Sequence, residues 1–154
     1  MKYEHIEEGR FISRPNRFIA YVEIDGRKEK VHVKNTGRCR ELLTDQAVVY
    51  LNKSANLNRS TAYDLVAVKK GSRMVNMDSA APNKAVEEWL LAGWLEEGVS
   101  LLRPETKFQN SRFDFYVETK DKKIFIEVKG VTLEQQNVVL FPDAPSQRAM
   151  KHVQ

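Results

Sequence analysis

Ser111-Arg112-Phe113-Asp114-Phe115-Tyr116-Val117-Glu118, then Thr119-Lys120-Asp121-Lys122, then Lys123-Ile124-Phe125-Ile126-Glu127-Val128-Lys129 is the stretch that decides the fold. Two β-rich runs flank a short polar segment, which predicts a hairpin. Taking Lys120-Asp121 as a two-residue loop pairs Val117 with Ile124, Phe115 with Ile126 and Asp114 with Glu127. Side chains alternate along a strand, so Phe113, Phe115, Val117, Ile124, Ile126 and Val128 form one apolar face. Asp114, Glu127 and Lys129 are expected on the other. Two directly opposed carboxylates repel each other unless a cation lies between them. Mg²⁺, or Mn²⁺ in its place, suits oxygen donors and retained water, and Lys129 would position an attacking water. The same residues also suit an exposed polar face on which Lys129 screens two acids, and spacing alone leaves both readings open.

Working outward, Pro82 is tolerated near a helix start. Val86, Leu90, Leu91, Trp94 and Leu95 recur at helical spacing and Gly98 closes the run, predicting a helix from about Asn83 to Glu97. Leu101 to Phe108 reads as a strand before the hairpin, and Asn137 to Phe141 as a short one after it. Ala144 to Gln154, with Pro145 in its first turn, reads as a closing helix. The first half is different. Arg17 to Ile24, Asp25-Gly26 and Lys28 to Val33 form a second hairpin signature. Ala47 to Leu51, Ala62 to Val68 and Met74 to Met77 are further strands, and Arg40 to Leu43 reads as one helical turn. Short strands of this number in about 80 residues fit a small barrel of the OB kind. The expected fold class is therefore α+β / α/β: an OB-like β-barrel at residues 1–80, then an αβββα domain at 81–154.

Charge divides along the same line. Residues 1–80 carry 15 basic and 10 acidic side chains, and residues 81–154 carry 10 and 11. A basic first half suits a polyanion, because Lys and Arg at phosphates release condensed counterions, although a solvated basic surface has the same composition. Lys34, Arg38 and Arg40 surround a turn, with Asn35 or Thr36 able to add hydrogen bonds to phosphate. Arg14, Arg17 and Tyr21 extend that surface. The lone Cys39 excludes an internal disulfide and a cysteine zinc cage, and reads as a small apolar filler. Trp89 and Trp94 are expected to pack the helix. No apolar run approaches the roughly 20 residues that span a bilayer. Acids near Met1 replace the apolar stretch of a leader. The expectation is a reduced, cytoplasmic protein.

Asp114, twelve residues, then Glu127-Val128-Lys129 has the shape of the PD-(D/E)xK nuclease signature. Longer strings resemble a narrower group: Asn35-Thr36-Gly37-Arg38, Pro82-Asn83 with Glu88, Ser111 to Phe115, Glu127 to Leu133, and Phe141-Pro142-Asp143-Ala144-Pro145 followed by Lys151-His152. Together they are similar to the sugar fermentation stimulation protein A family. That resemblance implies an OB-like barrel joined to a restriction-endonuclease-like domain, DNA binding, and a link to regulation of sugar (maltose) use. It implies Asp114, Glu127 and Lys129 as motif residues, Asp114 and Glu127 as metal ligands, and Glu88 as the acid on the first helix, with Glu87 as the alternative. Lys34, Asn35, Arg38, Arg40 and Arg17 are the expected nucleic-acid contacts, and the DNA contact is expected to be non-specific. Family chains usually run well past the Lys-His pair, so the second domain is expected to be incomplete, with strand exchange between copies one resolution. The functional expectation is a DNA-binding protein with a Mg²⁺-dependent nuclease site. A non-cleaving regulator, or another enzyme on the same scaffold acting on RNA or a small molecule, stays open.

Overall fold

The computed structural model describes residues 1–95 and 98–140. Its elements run β1 (Ile6–Ser13), β2 (Ile19–Ile24), β3 (Arg27–Val33), β4 (Val48–Lys53), β5 (Tyr63–Lys70), β6 (Arg73–Asn76), α1 (Ala81–Leu91), β7 (Leu101–Phe108), β8 (Ser111–Glu118), β9 (Lys123–Ile126), β10 (Glu134–Gln135) and β11 (Val138–Val139). The chain divides into two compact units. One holds Lys2–Ala80 with Thr132–Val139; among described residues the other holds Met1, Ala81–Val131 and Leu140. The expected helix from Ala144 onward and His152 lie outside the described residues. No helix among those described is long and apolar enough to cross a membrane.

In the first unit β1 pairs with both β2 and β4, and β5 with both β4 and β6. Parallel pairing of His32 with Asp64 and Val33 with Leu65 closes the sheet. Five strands, in the order β1-β2-β3-β5-β4, thus form a closed OB-type barrel, and β6 extends β5. The β2–β3 turn is Asp25-Gly26, both at positive φ (48° and 75°), as a two-residue hairpin matched to strand twist requires. Val22, Val31, Val49, Leu51, Leu65 and Val68 are fully buried in the barrel core. Burying each such side chain stabilises the fold by about 1.5–3 kcal/mol.

The sequence reading omits β1. Its inward positions include Gly9 and Phe11, so a glycine hides the apolar alternation. A Cβ at Gly9 would lie 2.9 Å from the Glu23 carbonyl oxygen and 3.2 Å from Leu51 Cδ1, so the strands approach too closely there for a side chain. The β10–β11 hairpin groups with the barrel. Lys70 Nζ donates to the Glu134 carbonyl at 2.7 Å, and Arg73 lies 2.7 Å from the Glu134 carboxylate. The Asn137 backbone N–H and then Arg73 hold that carboxyl below its ordinary value.

In the second unit β8 pairs with β7 and β9. The observed β8–β9 register is the predicted one: Phe115 opposes Ile126, Val117 opposes Ile124, and Thr119 N–H donates to the Lys122 carbonyl around the Lys120-Asp121 loop. Phe115, Val117 and Leu90 are buried, with Ile124, Ile126 and Val128 packed against them. Phe113 departs from the expected face. Glu105 has φ 54°, and the β7–β8 ladder skips Glu105 and Asp114. At that break the Phe113 ring meets Phe125, 5.1 Å between centroids, and Phe125 also stacks on Tyr116.

Helix α1 is shorter than predicted. Gly93, at φ 78°, sits in the left-handed region and ends it, although apolar Trp94 and Leu95 prolong the helical pattern. Leu95 still packs on the core. Trp89 and Trp94 are 46% and 69% exposed, so the expected role as packing residues falls to Leu90 and Val86 instead.

Candidate functional site

Asp114 sits in β8 where the ladder opens. Strand β9 ends at Ile126, so Glu127, Val128 and Lys129 lie just beyond the paired segment. The Val128 N–H, which a continuing ladder would give to a backbone carbonyl, donates instead to Asp114 Oδ2 at 2.7 Å. Asn83 Nδ2, in the first turn of α1, donates to Asp114 Oδ1 at 2.9 Å. The carboxylate is therefore fixed from two sides beside the Glu127–Val128 peptide. Gly130 completes the approach: a Cβ there would meet Pro82 Cγ at 2.8 Å. Pro82 thus lies against Gly130 while its neighbour Asn83 holds Asp114.

Lys129 forms an ion pair with the half-buried Glu127. Glu88 points elsewhere. It is exposed and pairs with the Met1 amino group. At about 100° per residue, Glu88 lies some 140° around the helix from Asn83, whereas Glu87 lies within about 40° of it. Glu87 is also less exposed and shares the inward stripe of Asn83, Val86 and Leu90. Glu87, the alternative to Glu88 in the sequence reading, is thus the acid that shares the Asn83 face of the helix.

The donor chemistry fits a hard divalent cation. Each Asp114 oxygen accepts one N–H and keeps a further lone pair. Glu127 supplies a second carboxylate, and Mg²⁺ characteristically uses one or two carboxylates plus water. No cluster of three Asp, Glu, His or Cys side chains converges for a metal among the described residues.

The barrel carries a separate cleft of about 560 Å³ between the β1–β2 loop and the segment after β3, lined by Phe11, Arg14, Asn16, Arg17, Thr36, Gly37, Arg38, Arg40 and Leu43. No acidic residue lines it. Three of the five predicted nucleic-acid contacts, Arg17, Arg38 and Arg40, meet here with exposed side chains. Cys39 between the two latter is buried at φ 46°. In the turn that follows, the Leu42 and Leu43 N–H groups both donate to the Cys39 carbonyl.

The remaining predicted contacts have other partners. Lys34 Nζ is 2.6 Å from Asp78 Oδ2, whose side chain is fully buried. Asn35 Oδ1 accepts the Gly37 N–H at 2.8 Å and shapes the turn. Tyr21 faces outward under Lys28 rather than into the barrel. Arg14, read from sequence as added basic surface, is a brace: its guanidinium donates to the carbonyls of Asn35, Gly37, Arg38 and Arg17 at 2.6–2.9 Å. Asn83 and Arg14 are the two residues whose roles sequence reasoning missed. Only their long-range partners reveal those roles.

A family model described as the SfsA N-terminal OB domain matches residues 12–77, and one described as the sugar fermentation stimulation protein RE domain matches residues 80–154. A sugar fermentation stimulation protein homolog from Clostridium beijerinckii is 61% identical over 153 residues, covering 99% of this chain and 68% of the relative. One from Ruminiclostridium cellulolyticum is 60% identical with the same coverage. A solved structure of Pyrococcus furiosus SfsA in complex with Ca²⁺ matches with a TM-score of 0.85 at 27% identity, covering 99% of this chain and 66% of that one. With both of its units matched and relatives of this identity, the chain belongs to the sugar fermentation stimulation protein family.

Proposed function

We propose that this chain is a DNA-binding protein with a metal-dependent phosphodiester-hydrolysing site. The observation that carries the reading is the Asp114 carboxylate, fixed by Asn83 and the Val128 N–H beside Glu127, with Lys129 next along the chain. Asp114 and Glu127 would hold Mg²⁺ or Mn²⁺, with Glu87 the helix acid closest to their side. The bound ion would supply Lewis acidity toward a phosphoryl oxygen and a more acidic water. Lys129 would orient that water and hold its ammonium against the charge developing on phosphate. The Pyrococcus relative, in complex with Ca²⁺, supports a hard divalent cation as the partner class. The arginine cleft supports contact with phosphates, which carries affinity without base readout.

A second reading is a DNA-binding regulator of sugar (maltose) metabolism that does not cut. The ion pair between Lys129 and Glu127, and the lack of a third converging acid among described residues, favour it. Plasmid and single-strand cleavage with Mg²⁺ or Mn²⁺, repeated for Glu127→Ala and Lys129→Ala, separates the two. Metal-dependent cutting lost in both variants supports the nuclease. DNA binding with no cutting under any metal supports the regulator.

A further inference from the structure

We infer that the arginine cleft receives a phosphate monoester carried on a nucleotide, either the phosphorylated end of a strand or a free mononucleotide; this rests on the nucleic-acid reading above and narrows it. Arg17, Arg38 and Arg40 line one concave surface with no carboxylate in ion-pair contact among the described residues. Guanidiniums gathered without a counter-charge repel one another, and a shared anion relieves that repulsion. The arrangement is built in advance. Arg14 ties the β1–β2 loop to Asn35, Gly37 and Arg38, while burial of Cys39 leaves Arg38 and Arg40 both turned outward.

The ligand has an organic part as well as charge. Edges of the buried core residues Phe11 and Leu43 line the cleft, which inorganic phosphate alone would not use. The volume of about 560 Å³ suits a mononucleotide-sized group, within the 300–1,000 Å³ of ordinary ligand pockets. Arginine also suits phosphate geometrically, presenting a planar fork for paired hydrogen bonds. Charge then selects the ester type. A monoester carries about −1.5 to −2 at pH 7, with its second ionisation near pH 6, whereas a backbone diester carries −1. Three nearby cations should favour the extra charge by roughly fivefold to tenfold at physiological salt.

Fluorescence anisotropy on the full chain, without added metal so that no strand is cut, reads this directly. The probes are 12-nucleotide single strands with 5′-phosphate, 3′-phosphate or hydroxyl ends, with AMP and inorganic phosphate as competitors. A phosphorylated strand should bind about fivefold to tenfold tighter at pH 8, and the preference should shrink to about twofold or less at pH 5, where only about a tenth of the monoester keeps its second charge. No carboxylate or histidine lines the cleft to mimic that change. Arg38→Ala/Arg40→Ala should abolish the preference with an unchanged melting temperature. If AMP competes and strands bind regardless of their ends, the source is the free nucleotide; if only phosphorylated ends gain, it is the strand terminus. Equal binding of all strands with no competition by AMP overturns the inference while DNA binding stands. Inorganic phosphate matching AMP overturns the nucleotide assignment. Failure of every strand to bind sinks the DNA reading itself, whatever AMP does.

Discussion

Arg14→Met removes the brace of the barrel cleft and keeps most of its apolar stem. Four backbone carbonyls lose a charged donor. Those of Asn35 and Gly37, at 2.6 and 2.7 Å, are in part-buried contacts; those of Arg17 and Arg38, at 2.7 and 2.9 Å, are exposed and can turn to water. Hydrogen bonds to charged groups contribute about 1.5–3 kcal/mol each when shielded and less when water can replace them. Allowing roughly 1 kcal/mol for each part-buried bond and a few tenths for each exposed one gives a loss of about 3 kcal/mol. Arg14 Nε, buried without a hydrogen-bond partner, moderates that loss, because the variant also removes one unsatisfied donor.

Urea unfolding followed by far-UV circular dichroism measures the change. The control is Arg17→Met, whose guanidinium lies 4.8 Å from the Phe18 ring centroid at the surface. Exposed substitutions of that kind stay within about 0.5 kcal/mol. The cleft supplies a second readout: binding of a phosphorylated strand should weaken in Arg14→Met even where the protein remains folded, since the loop bearing Arg38 and Arg40 is no longer tied down. A loss in Arg14→Met no greater than in Arg17→Met would refute the brace.

Gly130→Ala should lower the melting temperature of the second unit, read by Trp89 and Trp94 fluorescence. Its Cβ would sit 2.8 Å from a proline ring carbon that cannot swing aside, and forced overpacking costs about 1–3 kcal/mol. Asp64→Asn should destabilise the barrel by about 2 kcal/mol at pH 7, the scale of a charge-assisted bond. Burial would raise the Asp64 carboxyl, but hydrogen bonds from Arg59 and His32, and then their charges, hold it below its ordinary 3.8. Its contribution is thus complete above pH 3.8 and fades as pH falls through the lower folded value, so urea midpoints of wild type and variant should converge below pH 3.8; a constant gap would contradict this.

Which parts of this molecule are legible in sequence follows from the range over which each is determined. The β8–β9 register was readable because strict alternation and a two-residue loop are local, and a one-residue slip would turn Phe115 and Val117 out of the core. The barrel strands were readable for the same reason, except β1, whose glycine is required by a backbone carbonyl on the neighbouring strand, that of Glu23. The end of α1 was misread because apolar Trp94 and Leu95 outweighed Gly93, while the backbone obeys the glycine. The site divides likewise. Asp114, Glu127 and Lys129 stand out as candidates in the sequence, but the groups that hold Asp114 come from the first turn of α1 and from the backbone just past β9. That dependence also bears on the two adjacent helix acids. Once Asn83 is seen to donate to Asp114, the helical period places Glu87 on its side and carries Glu88 away, toward Met1. The face of α1 that carries both Asn83 and Glu87 is thus picked out by a hydrogen bond spanning 31 residues, which no pattern within the helix itself contains.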